Sequence, residues 1–251
     1  MSSKNLVLLH CMAVLLLVRS VSSSQDNAFL FHVCSDIEGT FTTKSPYETN
    51  LNMLLGSLSY KAPPTGFGLG SAGQSPDKVN GLALCRGDVS PADCRSCITA
   101  ATPELRKRCP NNKGGAIWYD FCLVKHSTIN FFGKIDYDNK FYLYNVNNVT
   151  DPTSFNAQTK NLLSRLSKEA AAVKKLYAAG EDNLYGGAGS GKKKLYGLVQ
   201  CTRDLTSEAC TACLDGIIGE LPNCCDGKEG GRVVGTSCNF RYEIYPFVSS
   251  S

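Results

Sequence analysis

Residues 85–97 read CRGDVSPADCRSC, and residues 201–213 read CTRDLTSEACTAC. Both have the form Cys-x8-Cys-x2-Cys, and they lie 116 residues apart. Beyond the first element, Cys109 and Cys122 recur at the same offset as Cys225 and Cys238. Five cysteines at one offset define an internal repeat, and a single repeat in 251 residues makes a tandem pair rather than a solenoid. The surroundings agree, since Gly81-Leu82 matches Gly197-Leu198 and Gly115 matches Gly231. Upstream the offset falls to 108, where residues 53–59 (MLLGSLS) align with 161–167 (NLLSRLS). The second copy therefore carries eight extra residues between its first helix and Cys201.

Each copy reads as helix, loop, short strand, helix and then strands. Leu51, Leu54, Leu55 and Leu58 fall at helical spacing within residues 46–59, and Leu162, Leu163 and Leu166 repeat part of that stripe, which predicts an amphipathic helix in each copy. Residues 65–73 hold four glycines and read as a loop. A second helix starts at Ser90, with Pro91 in the first turn and Asp93 three residues on; Thr206 takes the cap in the second copy. Residues 117–124 and 233–244 are rich in β-branched and aromatic side chains, as strands require. The order predicts an α+β fold of two tandem domains, helices packed on antiparallel sheets. The last strand of the first copy is expected near residues 141–146, and only a short gap without a flexible Gly/Ser run separates it from the helix near Phe155. The copies should then form one rigid body. Proteolysis should begin in the glycine- and lysine-rich insertion of residues 180–194.

The N-terminus sets the compartment. Lys4, a mostly apolar run from Leu6 to Val18, Arg19 and the polar residues 20–24 have the layout of a secretory signal peptide. That run is too short to span a bilayer, which takes roughly 20 residues, so residues 1–24 should be cleaved and no stable membrane insertion is expected. Thirteen cysteines are present, and losing Cys11 with the leader leaves an even twelve in an oxidising compartment. The formal charge of +4 comes from short, scattered basic clusters and argues for no particular partner; nucleic acid is also in the wrong compartment.

Several catalytic patterns fail on context. Gly186-x4-Gly191-Lys192 resembles a phosphate loop, but Lys193 stands where the metal-binding hydroxyl belongs. Gly68-x-Gly70-x-x-Gly73 fits a dinucleotide fingerprint as letters, yet no strand is predicted before it. Outside the leader only His32 and His126 could serve a nucleophile, and a bridged cysteine is none. Both read as structural histidines, Trp118 reads as core, and neither an enzyme nor a cofactor is implied.

The Cys-x-x-Cys pairs allow a four-thiolate zinc site from Cys94, Cys97, Cys210 and Cys213, a redox dithiol, or structural disulfides. Repetition in a secreted chain favours disulfides, so no metal is expected. Six cysteines permit fifteen connectivities, and the repeat constrains one of them. Cys34 has no counterpart in the second copy, where Tyr142 and Thr150 occupy the positions given by the two offsets, while Cys224 appears beside Cys225, the equivalent of Cys109. The economical pairing joins Cys34 to Cys109 and leaves Cys225 to another partner, Cys224 being one candidate. Two bridges per copy, drawn from Cys85, Cys94, Cys97 and Cys122 and from Cys201, Cys210, Cys213 and Cys238, remain shared. Asn148-Val149-Thr150 is a glycosylation sequon near the boundary between the copies.

These elements, with residues 131–134 (FFGK), 145–149 (NVNNV), 196–201 (YGLVQC) and 238–243 (CNFRYE), resemble the plant ginkbilobin-homologous or stress-antifungal domain. The tandem arrangement is similar to that of cysteine-rich repeat secretory proteins. The resemblance divides the chain into a first domain at 25–146 and a second at 147–251. It implies five antiparallel strands and two helices per domain, and bridges Cys34 to Cys109, Cys85 to Cys94 and Cys97 to Cys122. It also implies a secreted apoplastic protein of stress or defence. Such a protein would contact a receptor-like kinase ectodomain or a like domain, or bind mannose-type glycans on fungal or wall surfaces. Resembling sugar-binding members use an asparagine directly after the first cysteine, an arginine six residues before the last and a glutamate five after it. The first copy has Ser35, Ala116 and Ser127 there, whereas the second keeps Arg232 and Glu243, the candidate carbohydrate-binding pair. In an unbroken strand those two would face opposite ways, so a turn near Gly235 is required.

Overall fold

The computed structural model describes residues 27–185 and 193–248. The expected leader, the Gly186 to Lys192 pattern and the final three serines lie outside the described residues. The first copy comprises β1 (Phe29–Cys34), α1 (Pro46–Lys61), β2 (Phe67–Ala72), β3 (Val79–Cys85), α2 (Pro91–Arg108), β4 (Gly115–Tyr119) and β5 (Cys122–Ser127). The second comprises β6 (Lys140–Tyr144), α3 (Pro152–Ala171), β7 (Tyr177–Asn183), β8 (Lys194–Cys201), α4 (Ser207–Ile218), α5 (Leu221–Cys224), β9 (Gly230–Gly235) and β10 (Cys238–Glu243). Two antiparallel five-stranded sheets result, ordered β1-β4-β5-β3-β2 and β6-β9-β10-β8-β7. This is the α+β tandem fold expected.

The helices begin where the caps predict. Ser90 accepts a hydrogen bond from the Asp93 amide at 3.1 Å, and Thr206 accepts one from the Ala209 amide at 3.1 Å. Ser45 and Asp151 cap α1 and α3, each followed by a proline in the first turn, where its missing N–H costs nothing. The leucine stripe of α1 is buried against its sheet, and Leu162, Leu163 and Leu166 of α3 are buried in the same way.

Three expectations need correction. Residues 67–72 form the edge strand β2, not a loop. Its glycines answer to a neighbouring helix end, since a Cβ on Gly68 would come within 3.1–3.4 Å of Ala62; a bare backbone lets the strand lie close beside it. The segments read as single strands near 117–124 and 233–244 are hairpins, β4–β5 and β9–β10. Strands β7 and β8, ending at Asn183 and resuming at Lys194, pair as a hairpin on either side of the insertion. Finally, the strand at 140–144 was expected in the first domain, ending at 146, yet β6 pairs with β9, Leu143 opposite Arg232 and Tyr144 opposite Gly231. It is the first strand of the second copy, as β1 is of the first.

Six disulfides staple the fold. Cys85–Cys94 and Cys97–Cys122 tie α2 to its sheet, and Cys201–Cys210 and Cys213–Cys238 repeat them. Cys34–Cys109 joins β1 to the end of α2, and Cys224 is bridged to Cys225. All four cysteines of the hypothetical zinc site are thus bridged.

Each sheet carries its helices on one face and turns the other face toward its twin. Strand alternation in β4 makes the division plain: Ile117 enters the helix-side core, while Ala116 and Trp118 point between the copies. There Leu82, Leu84, Ala116, Trp118 and Leu123 of the first copy meet Val234 of the second, with Phe31 and Phe141 rings 4.9 Å apart at the rim. Trp118 donates its indole N–H to the Gly235 carbonyl at 3.2 Å, and Gln200 reaches the Cys85 carbonyl at 3.0 Å. Burying an apolar sheet face against its counterpart joins the copies into one body.

Candidate functional site

Arg232 and Glu243 belong to the β9–β10 hairpin, which reverses after Gly235. Register places Arg232 opposite Arg241 and Glu243 opposite Gly230. The turn brings the two candidate residues onto one face, as required, and that face looks toward the first copy. Glu243 lies over bare Gly230, where any Cβ would collide with its carboxylate.

A charged group from the first copy completes the arrangement. Asp120, in the β4–β5 turn, accepts from Arg232 through Oδ1, with Arg241 3.8 Å away, and faces Arg86 through Oδ2 at 3.3 Å. Arg86 also holds Asp88 in a fork at 2.6 and 2.9 Å. Arg241 donates to Glu243 Oε1 at 3.0 Å and lies 4.2 Å over the Phe247 ring. Burial, then the neighbouring Arg241 charge, lowers the Arg232 pKa. Burial works against the Arg86 charge as well, but its hydrogen bond to Asp88 and the Asp88 and Asp120 charges prevail and raise its pKa. The space beside Arg86, Asp120, Arg232 and Arg241, where the copies meet, is about 60 Å³, and Glu243 does not line it.

The structure also reveals a residue that counting from cysteines missed. In register Cys34 faces Gly115 and Tyr144 faces Gly231, so the true counterpart of Cys34 is Tyr144, not Tyr142 or Thr150. The residue directly after it is Asn145, which occupies the place of the expected asparagine and donates its backbone N–H to the Gly230 carbonyl at 2.8 Å. By strand alternation Asn145, Arg232 and Glu243 share one face around Gly230. Strand register would have found it, whereas the helix offset of 108 and the cysteine offset of 116 both step past it.

The corresponding place in the first copy is built differently. Ser35, Ala116 and Ser127 line a cleft of about 520 Å³, with Glu38, Phe131 and Asp136 among its walls. Glu38 accepts from the Ser127 hydroxyl at 2.8 Å and from the Thr128 amide at 2.6 Å. Lys125 reaches across to Asp136 at 2.9 Å and Thr236 at 3.2 Å. Burial disfavours the Asp136 carboxylate, but Lys125 and the Asn139 hydrogen bonds outweigh it and hold its pKa well below the usual carboxylate range. His126, in the helix-side core, is fully buried, and burial lowers its pKa to about 4; His32 is half-buried on β1. Among the described residues no group of three or more His, Cys, Asp or Glu could hold a metal ion.

Fold and site define a class: a disulfide-stapled tandem α+β protein whose candidate polar residues lie in the second copy, with Arg232 bound to the first. Comparison with known proteins makes this specific. The profile of the family described as salt stress response/antifungal matches residues 33–129 and 143–245, and the chain belongs to that family. It is similar to cysteine-rich repeat secretory protein 38 of Arabidopsis thaliana, 63% identical over 100% of this chain and 99% of that one. It is also similar to an antimicrobial ginkbilobin-2-like protein of Castanea crenata, 58% identical over 88% of this chain and 89% of that one. Among solved structures, the tandem DUF26 ectodomain of the Arabidopsis cysteine-rich receptor-like protein PDLP8 superimposes with a TM-score of 0.74. The two are 25% identical, over 88% of this chain and 100% of that one. Relatives are thus named as a secretory protein, an antimicrobial protein and a receptor-like ectodomain. Among the described residues no helix is long and apolar enough to cross a membrane.

Proposed function

We propose that this is a non-enzymatic apoplastic protein of the stress or defence response that acts through protein contacts, with a receptor-like ectodomain or a like domain as partner. The observation that carries the reading is the contrast between its two family-position sites. In the second copy Asn145, Arg232 and Glu243 share one face, but Arg232 is committed to Asp120 beside a space of only about 60 Å³ and Glu243 to Arg241. The first has about 520 Å³ and none of those side chains. Arg232 serves the union of the copies, which presents one rigid surface to a partner. The secretory names of the relatives and the receptor-ectodomain neighbour support the same setting. A pull-down from plant extracellular fluid should recover a receptor-like ectodomain, and free mannose should not displace it. Capture that mannose abolishes would reject the reading.

One observation favours mannose binding as a second reading: Asn145, Arg232 and Glu243 gather around Gly230 on one face. Guanidinium and amide donors beside a carboxylate acceptor suit vicinal sugar hydroxyls. Titration calorimetry with mannose on the wild type, Arg232→Ala and Glu243→Ala separates the readings. Heat in the wild type that disappears in both variants supports the lectin.

A further inference from the structure

The connector from Tyr144 to Thr150 carries a feature that neither the sheets nor the junction explains. Along it Tyr144, Val146, Asn148 and Thr150 are exposed. Tyr144 is 58% and Val146 86% accessible, an apolar exposure directly beside the sequon. The segment does not dangle. Asn145 donates to the Gly230 carbonyl at 2.8 Å, Val149 to the Gly227 carbonyl at 2.8 Å, and Asn147 accepts from Glu229 at 3.2 Å. Asn148 pairs through its backbone with Lys228, and among the described residues its side-chain amide makes no hydrogen bond. A sequon on an exposed segment, with an unengaged asparagine amide and an exposed threonine two residues on, leaves room for a glycan on the folded protein.

We infer that Asn148 carries an N-linked glycan whose first sugars lie over Val146 and Tyr144. The inference rests on the secreted setting proposed above. The transfer forms a bond from Asn148 Nδ2 to the anomeric carbon of a lipid-linked diphosphate oligosaccharide. It breaks that carbon's bond to the diphosphate and releases the lipid diphosphate and the amide proton. The covering follows from chemistry, because the axial C–H face of a pyranose is apolar and Val146 and Tyr144 are exposed on the same short segment as Asn148, with Lys228 Nζ 5.5 Å from the centre of the Tyr144 ring.

The test uses the full chain secreted from a eukaryotic host. Intact mass should exceed the polypeptide mass by one glycan, fall on peptide-N-glycosidase treatment, and show no excess in Asn148→Gln or Thr150→Ala, while Thr150→Ser keeps the glycan. Enzymatic release should lower the melting temperature of the wild type by a few degrees and raise apolar-dye fluorescence. In Val146→Ser, which keeps the sequon, release should change both much less. Secreted protein of polypeptide mass, or a glycan that survives in Thr150→Ala, overturns the site. Equal responses to release in wild type and Val146→Ser overturn the covering. A chain retained in the cytosol overturns the secreted setting and the glycan together.

Discussion

The two copies share two bridges and part at the third. In the first, Cys34 on β1 crosses to Cys109 at the end of α2 and closes 75 residues of chain. In the second, Tyr144 stands at the Cys34 position on β6 and Cys225 at the Cys109 position. The thiol left over is bridged to its own neighbour, Cys224. The same edge strand is covalently tethered in one copy and held in the other by its ladder to β9 and by side-chain contacts: Tyr142 to Glu220 at 2.7 Å, and Lys140 to Glu220 at 2.9 Å. The two bridges that recur fix a helix to the sheet that carries it, so they belong to the fold of each copy. The third is dispensable wherever other contacts hold the edge strand.

The largest expected effect breaks the comparison at its junction. Trp118 is the first-copy residue that fills the space between sheets, and its counterpart, Val234, is much smaller. Trp118→Ala should destabilise the oxidised protein by about 3–5 kcal/mol. It should also split denaturant unfolding into two transitions as the copies uncouple, with Val234→Ala costing less and leaving one transition. A single unshifted transition in Trp118→Ala would mean that the copies are held together by their charged groups instead.

Next come the bridges themselves. Cross-linking stabilises chiefly by restricting the unfolded chain, so a 75-residue separation should be worth roughly 4 kcal/mol in the chain-entropy account. A bridge between neighbours restricts almost nothing. Cys34→Ala with Cys109→Ala should therefore lower stability by about 2–4 kcal/mol, while Cys224→Ala with Cys225→Ala should leave it nearly unchanged. Chemical denaturation of both double variants checks the pair. Equal losses would show that the vicinal bridge shapes the native state.

The copies also differ in what they do in acid. His126 and Tyr242 occupy equivalent places, opposite Gly115 and Gly231. The His126 pKa is lowered by burial from 6.5 to about 4, with the Glu38 charge opposing. Below about pH 6.5 the unfolded chain takes up this proton and the folded one does not. Stability contributed by neutral His126 is thus complete above pH 6.5 and is lost as pH falls toward 4, on the order of 3 kcal/mol in all. Tyr242 does not titrate in that range, so the loss belongs to the first copy. Measured between pH 7 and 4, His126→Gln should have a much flatter stability profile than the wild type. Asp136 acts separately: its depressed pKa contributes stability that fades only below the ordinary carboxylate range. A wild-type profile flat from pH 7 to 4 would contradict the buried neutral histidine.

Cysteine spacing and apolar periodicity carried most of the architecture, because both report on contacts within one copy. The caps at Ser90 and Thr206, the leucine stripes and the repeat itself were legible for that reason. What escaped depends on partners distant in sequence. β2 reads as a glycine-rich loop until the neighbouring Ala62 explains Gly68, and β6 reads as the end of the first copy until its pairing with β9 is known. Asn145 was hidden by the same register. The engagement of Arg232 by Asp120 spans 112 residues, and no local pattern announces it.

If Tyr144 truly replaces Cys34, the lost tether should be restorable. A Cβ on Gly115 would lie 3.4 Å from Cys109 Sγ, and one on Gly231 would lie 2.6 Å from Cys225 Sγ. Both glycines leave space for sulfur in the same corner. Cys224→Ala frees Cys225, and adding Tyr144→Cys supplies a thiol on the strand opposite Gly231, where Cys34 lies opposite Gly115 in the first copy. The combined variant should form the 144–225 bridge on oxidation and gain about 1–2 kcal/mol over Cys224→Ala alone, less than the entropic value because engineered bridges usually return less. Amide exchange in β6 should slow toward that of β1, and reduction should remove both effects. Peptide mapping under non-reducing conditions reads the bridge directly. Free thiols at both positions after oxidation would show that β6 and β1 are equivalent in register but not in their distance from the helix, which would confine the likeness of the copies to their shared bridges.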